Sequence, residues 1–383
     1  MREQSSLGCS LQSMIDPKRI GSVDSNMIEL TSSQIDATDR AIKSVNRGSK
    51  LFRIGGYAGV GKTTLAKSII SEIDGAAVCA FTGKAASVLR SKGIPSAATI
   101  HSTIYRYDEA RDQFQLKAPR ELHDIRYFLL DEASMVATEQ WEDLQTFRKP
   151  IIAIGDPGQL EPVGDDPRLM HNPDVVLTEI HRQDADSAII QFATHIRNGG
   201  NIKRGIKGDV EIGSRDLFYD SLDWADIMLC GFNRTRVAVN AMQRERIYGK
   251  QANESTIHFG EKIICLKNDR TLGFSNGEIF EVRNITGCHR DVWTCDLMNS
   301  DGKMKYDIGI TEDAFGVEKP QNTQWVPPGT MLADYAYCVS THKFQGSEAD
   351  NVAVCREQCK LWDQVRWDYT SATRAAKKLR FAI

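Results

Sequence analysis

The string Gly56-Tyr57-Ala58-Gly59-Val60-Gly61-Lys62-Thr63 constrains this chain more than any other stretch. It fits G-x-x-x-x-G-K-[ST] at every fixed position, with an apolar run at 51–54 before it and a helix-like run at 64–73 after it. Strand, loop and helix in that order turn backbone N–H groups inward around an anion and set a helix N-terminus behind them. Glycines at 56, 59 and 61 permit the turn, Lys62 is placed to reach β- and γ-phosphates, and the Thr63 hydroxyl, followed by Thr64, is placed to meet Mg2+. A chance glycine turn would not carry the flanking strand and helix, so a phosphate loop is the expectation.

The 383 residues allow two or three domains with substantial cores. No apolar run approaches a membrane span, and the first residues lack the apolar centre of a signal peptide. Residues 1–28 are polar and unpatterned and read as a flexible leader. Nine scattered cysteines without a C-x-x-C pair fit reduced thiols in a cytoplasmic compartment. A net charge of −3 gives no global basic field, although a narrow channel lined by Lys and Arg is compatible with it.

Apolar runs at 51–54, 76–81, 127–130, 151–154, 175–177, 227–230, 351–355 and 379–383 alternate with helical patterns. That alternation predicts an α/β fold with parallel sheets, and the strands suffice for two. Residues 257–328 differ, with short β-like runs at 257–266, 278–284, 292–298 and 304–308 separated by turn signals. They predict a small antiparallel β-domain inserted into the second α/β unit. At 104–117, Tyr105, Tyr107, Phe114 and Leu116 alternate with polar residues about a polar turn, the pattern of a hairpin.

The run at 127–130 leads into Asp131-Glu132-Ala133-Ser134. Paired carboxylates at a strand end complete an ATP site: Asp131 to hold Mg2+, Glu132 to polarise the attacking water. The run at 151–154 leads into Gly155-Asp156-Pro157-Gly158-Gln159-Leu160, where Gln159 is placed to sense a γ-phosphate.

These last two strings resemble motifs II and III of the superfamily 1 helicases, and further matches appear in the expected order. Thr82-Gly83-Lys84-Ala85-Ala86 is similar to motif Ia, Thr99-Ile100-His101-Ser102 to Ib, and Glu179-Ile180-His181-Arg182-Gln183 to IV. Ser340-Thr341-His342-Lys343-Phe344-Gln345-Gly346-Ser347-Glu348 resembles motif V, and Tyr369-Thr370-Ser371-Ala372-Thr373-Arg374-Ala375 motif VI. The resemblance, from residue 29 to the end, is to the RecD/Dda-like group of 5′-to-3′ DNA helicases. Only 49 positions separate Thr82 from Asp131, too few for the large helical insertion of the 3′-to-5′ branch, and the compact phage Dda-like form is the nearest pattern.

The resemblance implies two RecA-like P-loop NTPase cores, at 29–175 and at 176–256 with 329–383. It also implies a pin hairpin within 103–123 and an SH3-like β-domain at 257–328. It implies that Arg182 and Arg374 act as arginine fingers beside the catalytic Lys62, Asp131, Glu132 and Gln159. Gln34 sits where the group reads adenine, but Thr31-Ser32-Ser33-Gln34 is equally a helix capping box. Gln345, Gly346 and Glu348 are implied nucleotide neighbours. Thr82, Lys84, His101, Asn233, Thr341 and His342 are implied contacts to single-stranded DNA, with Phe114 either stacking on a base or packing the hairpin. Phe344 stands where motif V has a small polar residue. The implied activity is an ATP- and Mg2+-dependent helicase moving 5′ to 3′ on single-stranded DNA and opening forked or tailed duplexes. Single-strand-binding, replication and recombination proteins are its implied associates, and no membrane. An RNA helicase, or a DNA-stimulated ATPase acting as a loader or switch, are the alternatives.

Overall fold

The computed structural model describes residues 30–108, 113–161, 166–180, 186–267, 273, 274, 276–300, 302–319 and 329–383. The leader at 1–28, Arg182 and the turn residues 109–112, 275, 301 and 327–328 used in the sequence reading lie outside them.

The first sheet is built from β1 (Leu51–Gly56), β2 (Ala76–Ala80), β3 (Ala98–Thr99), β6 (Tyr127–Asp131), β7 (Ile151–Gly155) and β8 (Val175–Leu177). Its order is β3-β2-β6-β7-β1-β8, parallel throughout. Parallel strands need crossovers, and the helices that make them cover both faces. Hence β6 is buried at all five positions, Tyr127 and Leu129 entering one core and Phe128 and Leu130 the other. Between β3 and β6 the chain forms the antiparallel hairpin β4 (Tyr105–Asp108) and β5 (Gln113–Leu116), with Tyr107 opposite Phe114.

The second sheet has the order β17-β11-β18-β19-β10-β9. Its strands are β9 (Gly205–Lys207), β10 (Val210–Gly213), β11 (Ile227–Cys230), β17 (Cys338–Ser340), β18 (Ala349–Cys355) and β19 (Ala375–Ala382). Every pairing is parallel except that of the edge strand β9. Val352 and Val354 face one core, Ala353 and Cys355 the other.

Between β11 and β17 the chain closes a five-stranded barrel of β12 (Lys262–Cys265), β13 (Ile279–His289), β14 (Val292–Asn299), β15 (Met304–Thr311) and β16 (Thr330–Tyr335). Alternate residues point inward, among them Ile263 and Cys265, Phe280 and Val282, Cys295 and Leu297, Ile308 and Ile310, Met331 and Ala333. The structure moves two expected boundaries. Val175–Leu177 pairs with β1, so the first sheet runs past residue 175. The barrel's closing strand is Thr330–Tyr335, beyond residue 328, because one apolar run leaves the barrel and enters β17 with no turn signal to divide it.

The helix Asn233–Tyr248 carries the barrel on three side chains spaced by four, on one face. Arg236 pairs with Asp334 and donates to Val317 O at 2.8 Å. Asn240 Nδ2 donates to Tyr335 O and Cys338 O at 3.2 and 3.0 Å. Arg244 Nε meets both carboxylate oxygens of Glu261 at 3.2 Å. Both ion pairs are buried, so removing one partner leaves a charge without compensation. Asp334→Ala is expected to cost about 3–5 kcal/mol in urea unfolding, with most of the loss recovered when Arg236→Met is added.

Candidate active site

The site is assembled at the ends of β1, β6 and β7, where parallel strands point the loops that follow them toward one crevice. β1 ends at Gly56 and the chain turns into the helix Lys62–Glu72. Gly59 and Gly61 have φ of 79° and 74°, the left-handed region that glycine enters without strain. A side chain at Gly56 would stand 2.9 Å from Val60 Cγ2 and 3.1 Å from Lys62 Cγ, so the loop folds tightly over that position. Lys62 Nζ donates to Gly56 O at 2.9 Å and Tyr57 O at 3.3 Å, and lies 3.9 Å from Asp156 Oδ2. Thr63 and Thr64 sit half-buried in the first turn of the helix.

β6 delivers Asp131 and Glu132. Asp131 is buried, and burial, then the neighbouring Glu132 carboxylate, push its pKa above the usual range against the pull of Lys62. Glu132 has φ 53° and ψ 41°, an uncommon conformation for a residue with a side chain. Its Oε2 is buried without a hydrogen-bond partner among the described residues, as are Ser134 Oγ and Gln159 Oε1. Buried polar atoms are ordinarily paired, so these oxygens beside a lysine are the donor set expected for a hydrated divalent cation and a polyphosphate. Thr63 and Asp131 therefore fit Mg2+, with the unpaired Glu132 carboxylate beside them for a water.

β7 delivers Asp156, fully buried in the turn that follows. Its Oδ1 accepts from Gly158 N at 2.8 Å and its Oδ2 from the Tyr369 hydroxyl at 2.6 Å. The same hydroxyl accepts from Ala58 N at 2.9 Å. Burial raises the Asp156 pKa, opposed by Lys62 and the Tyr369 bond, and burial together with Asp156 keeps the Tyr369 phenol protonated. Tyr369 belongs to the helix Gln364–Ala372 of the second core, which meets the first at further points. Leu160 N donates to Thr370 Oγ1 at 2.9 Å, and Gln345 Nε2 to Leu160 O at 3.0 Å. The Arg197 guanidinium lies 3.6 Å from the Tyr57 ring centroid.

The other expected site residues divide by position. Arg374 is buried at the end of that helix, its guanidinium donating to Thr370 O, Ser347 O and Thr373 Oγ1 within its own core. Gln34 is buried and completes the capping box with Thr31, while its Nε2 donates to Val60 O at 3.0 Å, so it holds the phosphate loop's backbone. Gly346 lies against the first core at Thr82, Ala85 and Met135. Glu348 lines a cavity of about 550 Å3 together with Lys84, Phe280 and Ser300.

Thr82 caps the helix Gly83–Ser91 through Ala85 N, and Lys84 Nζ reaches Ser300 Oγ on the barrel at 2.6 Å. Phe114 is 39 % exposed yet packs edge-on against His101 at 4.8 Å, so it packs the hairpin and still presents ring surface. Asn233 is exposed at the start of its helix, and His342 is half-buried 6.3 Å from the Trp362 ring, its pKa lowered by burial. Thr341 corrects its sequence reading: its side chain is fully buried and bonded to Ser371, out of reach of any strand track. Phe344 is likewise buried in the second core. The residues that sequence reasoning missed are Tyr369, Asp156 and Arg197. The first two stood inside quoted motifs, but nothing in the sequence pairs residues 213 positions apart.

Residues 29–208 match the family described as AAA domain, and 335–382 that of the UvrD-like helicase C-terminal domain. The ATP-dependent DNA helicase dda of Enterobacteria phage T4 is 29% identical over 256 residues, 57% of this chain and 58% of that protein. The conjugal transfer protein TraA of Rhizobium radiobacter is 25% identical over 357 residues, 83% of this chain but 30% of that protein. The ATP-dependent RecD2 DNA helicase of Deinococcus radiodurans is 31% identical over 164 residues, 40% of this chain and 22% of that protein. The chain thus spans between about a fifth and three-fifths of these relatives' lengths. In fold it resembles one of two coordinating Pif1 helicases described at forked duplex DNA, with TM-score 0.59 and 17% identity over 93% of this chain and 92% of that one. Bacteroides Pif1 in complex with ADP-AlF3 and single-stranded DNA gives 0.55 and 17%, over 92% of each chain.

Glu132→Gly removes both the left-handed strain and the unpaired buried carboxylate. It is expected to raise stability by roughly 1–2 kcal/mol in thermal or urea unfolding. An unchanged or lower midpoint would show that Glu132 is not held under strain.

Proposed function

We propose, for a chain that belongs to the Pif1/RecD/Dda-like helicases of superfamily 1, an ATP-driven motor that moves 5′ to 3′ on single-stranded DNA and separates duplex ahead of it. The observation that carries this reading is the junction of two α/β cores at the phosphate loop, where the second core's Tyr369 bonds Ala58 N–H and Asp156. A phosphoryl-transfer site shared by two bodies can turn each turnover into relative movement.

In this reading Lys62 leaves Gly56 O for the γ-phosphate and offsets the charge that develops there. The unpaired Glu132 carboxylate orients the attacking water and accepts its proton. Asp131 and Thr63 would hold Mg2+, which when bound neutralises charge on the phosphoryl oxygens. Gln159 senses the γ-phosphate. Arg374 turns from the acceptors of its own core toward the phosphoryl group as the cores close, and Arg182 acts with it as the other arginine finger. Gln34 steadies the loop and borders the adenine, and Gln345 and Gly346 transmit closure through Leu160 and Thr82.

Thr82, Lys84, His101, Asn233 and His342 form the strand track, the hairpin β4–β5 is the pin, and the barrel is an SH3-like module above the track. None of these contacts reads base sequence, as translocation requires. The direction of movement rests on the likeness to the RecD/Dda-like group. The match to TraA over 83% of this chain favours a second setting, the same motor working within a longer protein of DNA transfer.

The test is ATP-dependent opening of matched duplexes with a 5′ or a 3′ single-stranded tail. Opening of the 5′-tailed duplex alone is expected. Opening of the 3′-tailed one alone overturns the direction, and DNA-stimulated ATPase without opening moves the loader reading ahead. Lys62→Ala is expected to lower ATPase turnover by at least about 10²-fold, and retained DNA-stimulated turnover would sink the assignment. Phe114→Ala is expected to reduce unwinding more than ATPase, whereas equal losses would confine Phe114 to packing.

A further inference from the structure

We propose that Tyr369 is a positioning residue that the triphosphate displaces: its hydroxyl holds the phosphate loop and Asp156 in the place of a phosphoryl oxygen, so ATP binding and this contact between the cores oppose each other. The inference rests on the reading of the loop as an ATP site.

The contact is a buried chain of hydrogen bonds. Ala58 N–H donates to Tyr369 Oη at 2.9 Å, and the phenol donates to Asp156 Oδ2 at 2.6 Å. The Lys62 ammonium also faces that carboxylate oxygen, 3.9 Å away. Tyr369 is 1% exposed and Asp156 fully buried, so the bond between them is shielded from solvent, while Ala58 at the other end is half-buried. The turn is also shaped to the ring, since a side chain at Gly158 would stand 3.2 Å from Tyr369 Cε1.

Two of the groups in this chain are ones a phosphate loop offers to its anion: a loop N–H, Ala58, and the loop lysine. A phosphoryl oxygen that takes both removes the phenol's donor and draws the cation from Asp156. The phenol then loses its bond to the phosphate loop, and the second core is released from the loop. Linkage makes the effect reciprocal: whatever ATP takes from the contact, the contact takes from ATP affinity. Thr370, the next residue, supplies the contrast. It also crosses between the cores, accepting from Leu160 N at 2.9 Å, but Leu160 is not part of the phosphate loop.

Tyr369→Phe keeps the ring and removes the hydroxyl. Binding of Mg2+ with a non-hydrolysable ATP analogue, without DNA, reads the effect by calorimetry. We expect Kd to fall about tenfold, because the competing arrangement loses a hydrogen bond to a buried charge, and KM for ATP to fall with it while kcat does not rise. Thr370→Val is expected to leave Kd within about twofold, since a general loosening between the cores does not favour the nucleotide. A Tyr369→Phe variant whose Kd is unchanged or higher overturns the proposal, as does an equal gain in Thr370→Val. A wild type that binds no nucleotide overturns the ATP-site reading and this proposal together. A wild type that binds it but opens no duplex leaves the comparison intact.

Discussion

The hydroxyl of Tyr369, shared between Ala58 N–H and Asp156, fixes how the two α/β cores meet. Each core closes a hydrophobic interior on both faces of its sheet, and the second core's interior also takes in Leu160, with Tyr57 and Ala58 packed against it from the first. Beside that apolar contact, what joins them is polar: the Tyr369 pair of bonds, Leu160 to Thr370 and Gln345, Arg366 on Glu161 at 2.5 Å, and the Arg197–Tyr57 stack. Such a junction resembles a transient interface more than a core, and it permits relative motion while each body stays rigid. Most of its bonds converge on the two loops that follow β1 and β7, so the groups that meet a phosphate also decide how closely the cores sit.

The barrel is held differently. Its attachment to the helix Asn233–Tyr248 is by buried Arg–carboxylate pairs and an asparagine that bonds the backbone on both sides of the passage from β16 to β17. Burying charge buys orientation more than stability, because desolvation cancels much of the attraction. The consequence is a barrel that travels with the second core. Lys84 reaching Ser300 is then a contact between bodies free to move apart, which places the cavity beside it at a moving boundary.

Much of the fold was legible because its signals are local. Residues 127–131 and 151–155 read as strands since covering a parallel sheet on both faces demands unbroken apolar runs. The first barrel strands read from turn signals and alternation. β16 did not, because its run is buried at every position and joins the next strand without a breaker. β9 is three exposed residues, including an Ile206 that is 76% exposed, and carries no pattern at all. The phosphate loop and Asp131-Glu132 were legible for the same reason, one short stretch carrying one chemistry. Thr341 was misplaced because a hydroxyl in a motif has no sequence mark for facing inward, and Ser371, which fixes it there, comes thirty residues later.

The long-range pairs were illegible for a physical reason that also bears on mechanism. Asp156 and Tyr369 meet only because two separately folded sheets present their loops to each other, so no local propensity encodes the pair. The same holds for Arg374, whose guanidinium is spent on Thr370 O, Ser347 O and Thr373 Oγ1 although its helix reaches the first core five residues earlier. A helix that places a phenol against the phosphate loop and keeps its arginine on its own core is set for one arrangement of the two bodies. Turning the arginine outward requires partners strong enough to replace three neutral acceptors, and a phosphoryl group, charged and able to bind a guanidinium through two oxygens, is such a partner. In the proposed motor this helix and the turn that ends it carry both an anchor to the loop and a cation held back from it, and the exchange between them would couple chemistry at Lys62 to the spacing of the cores.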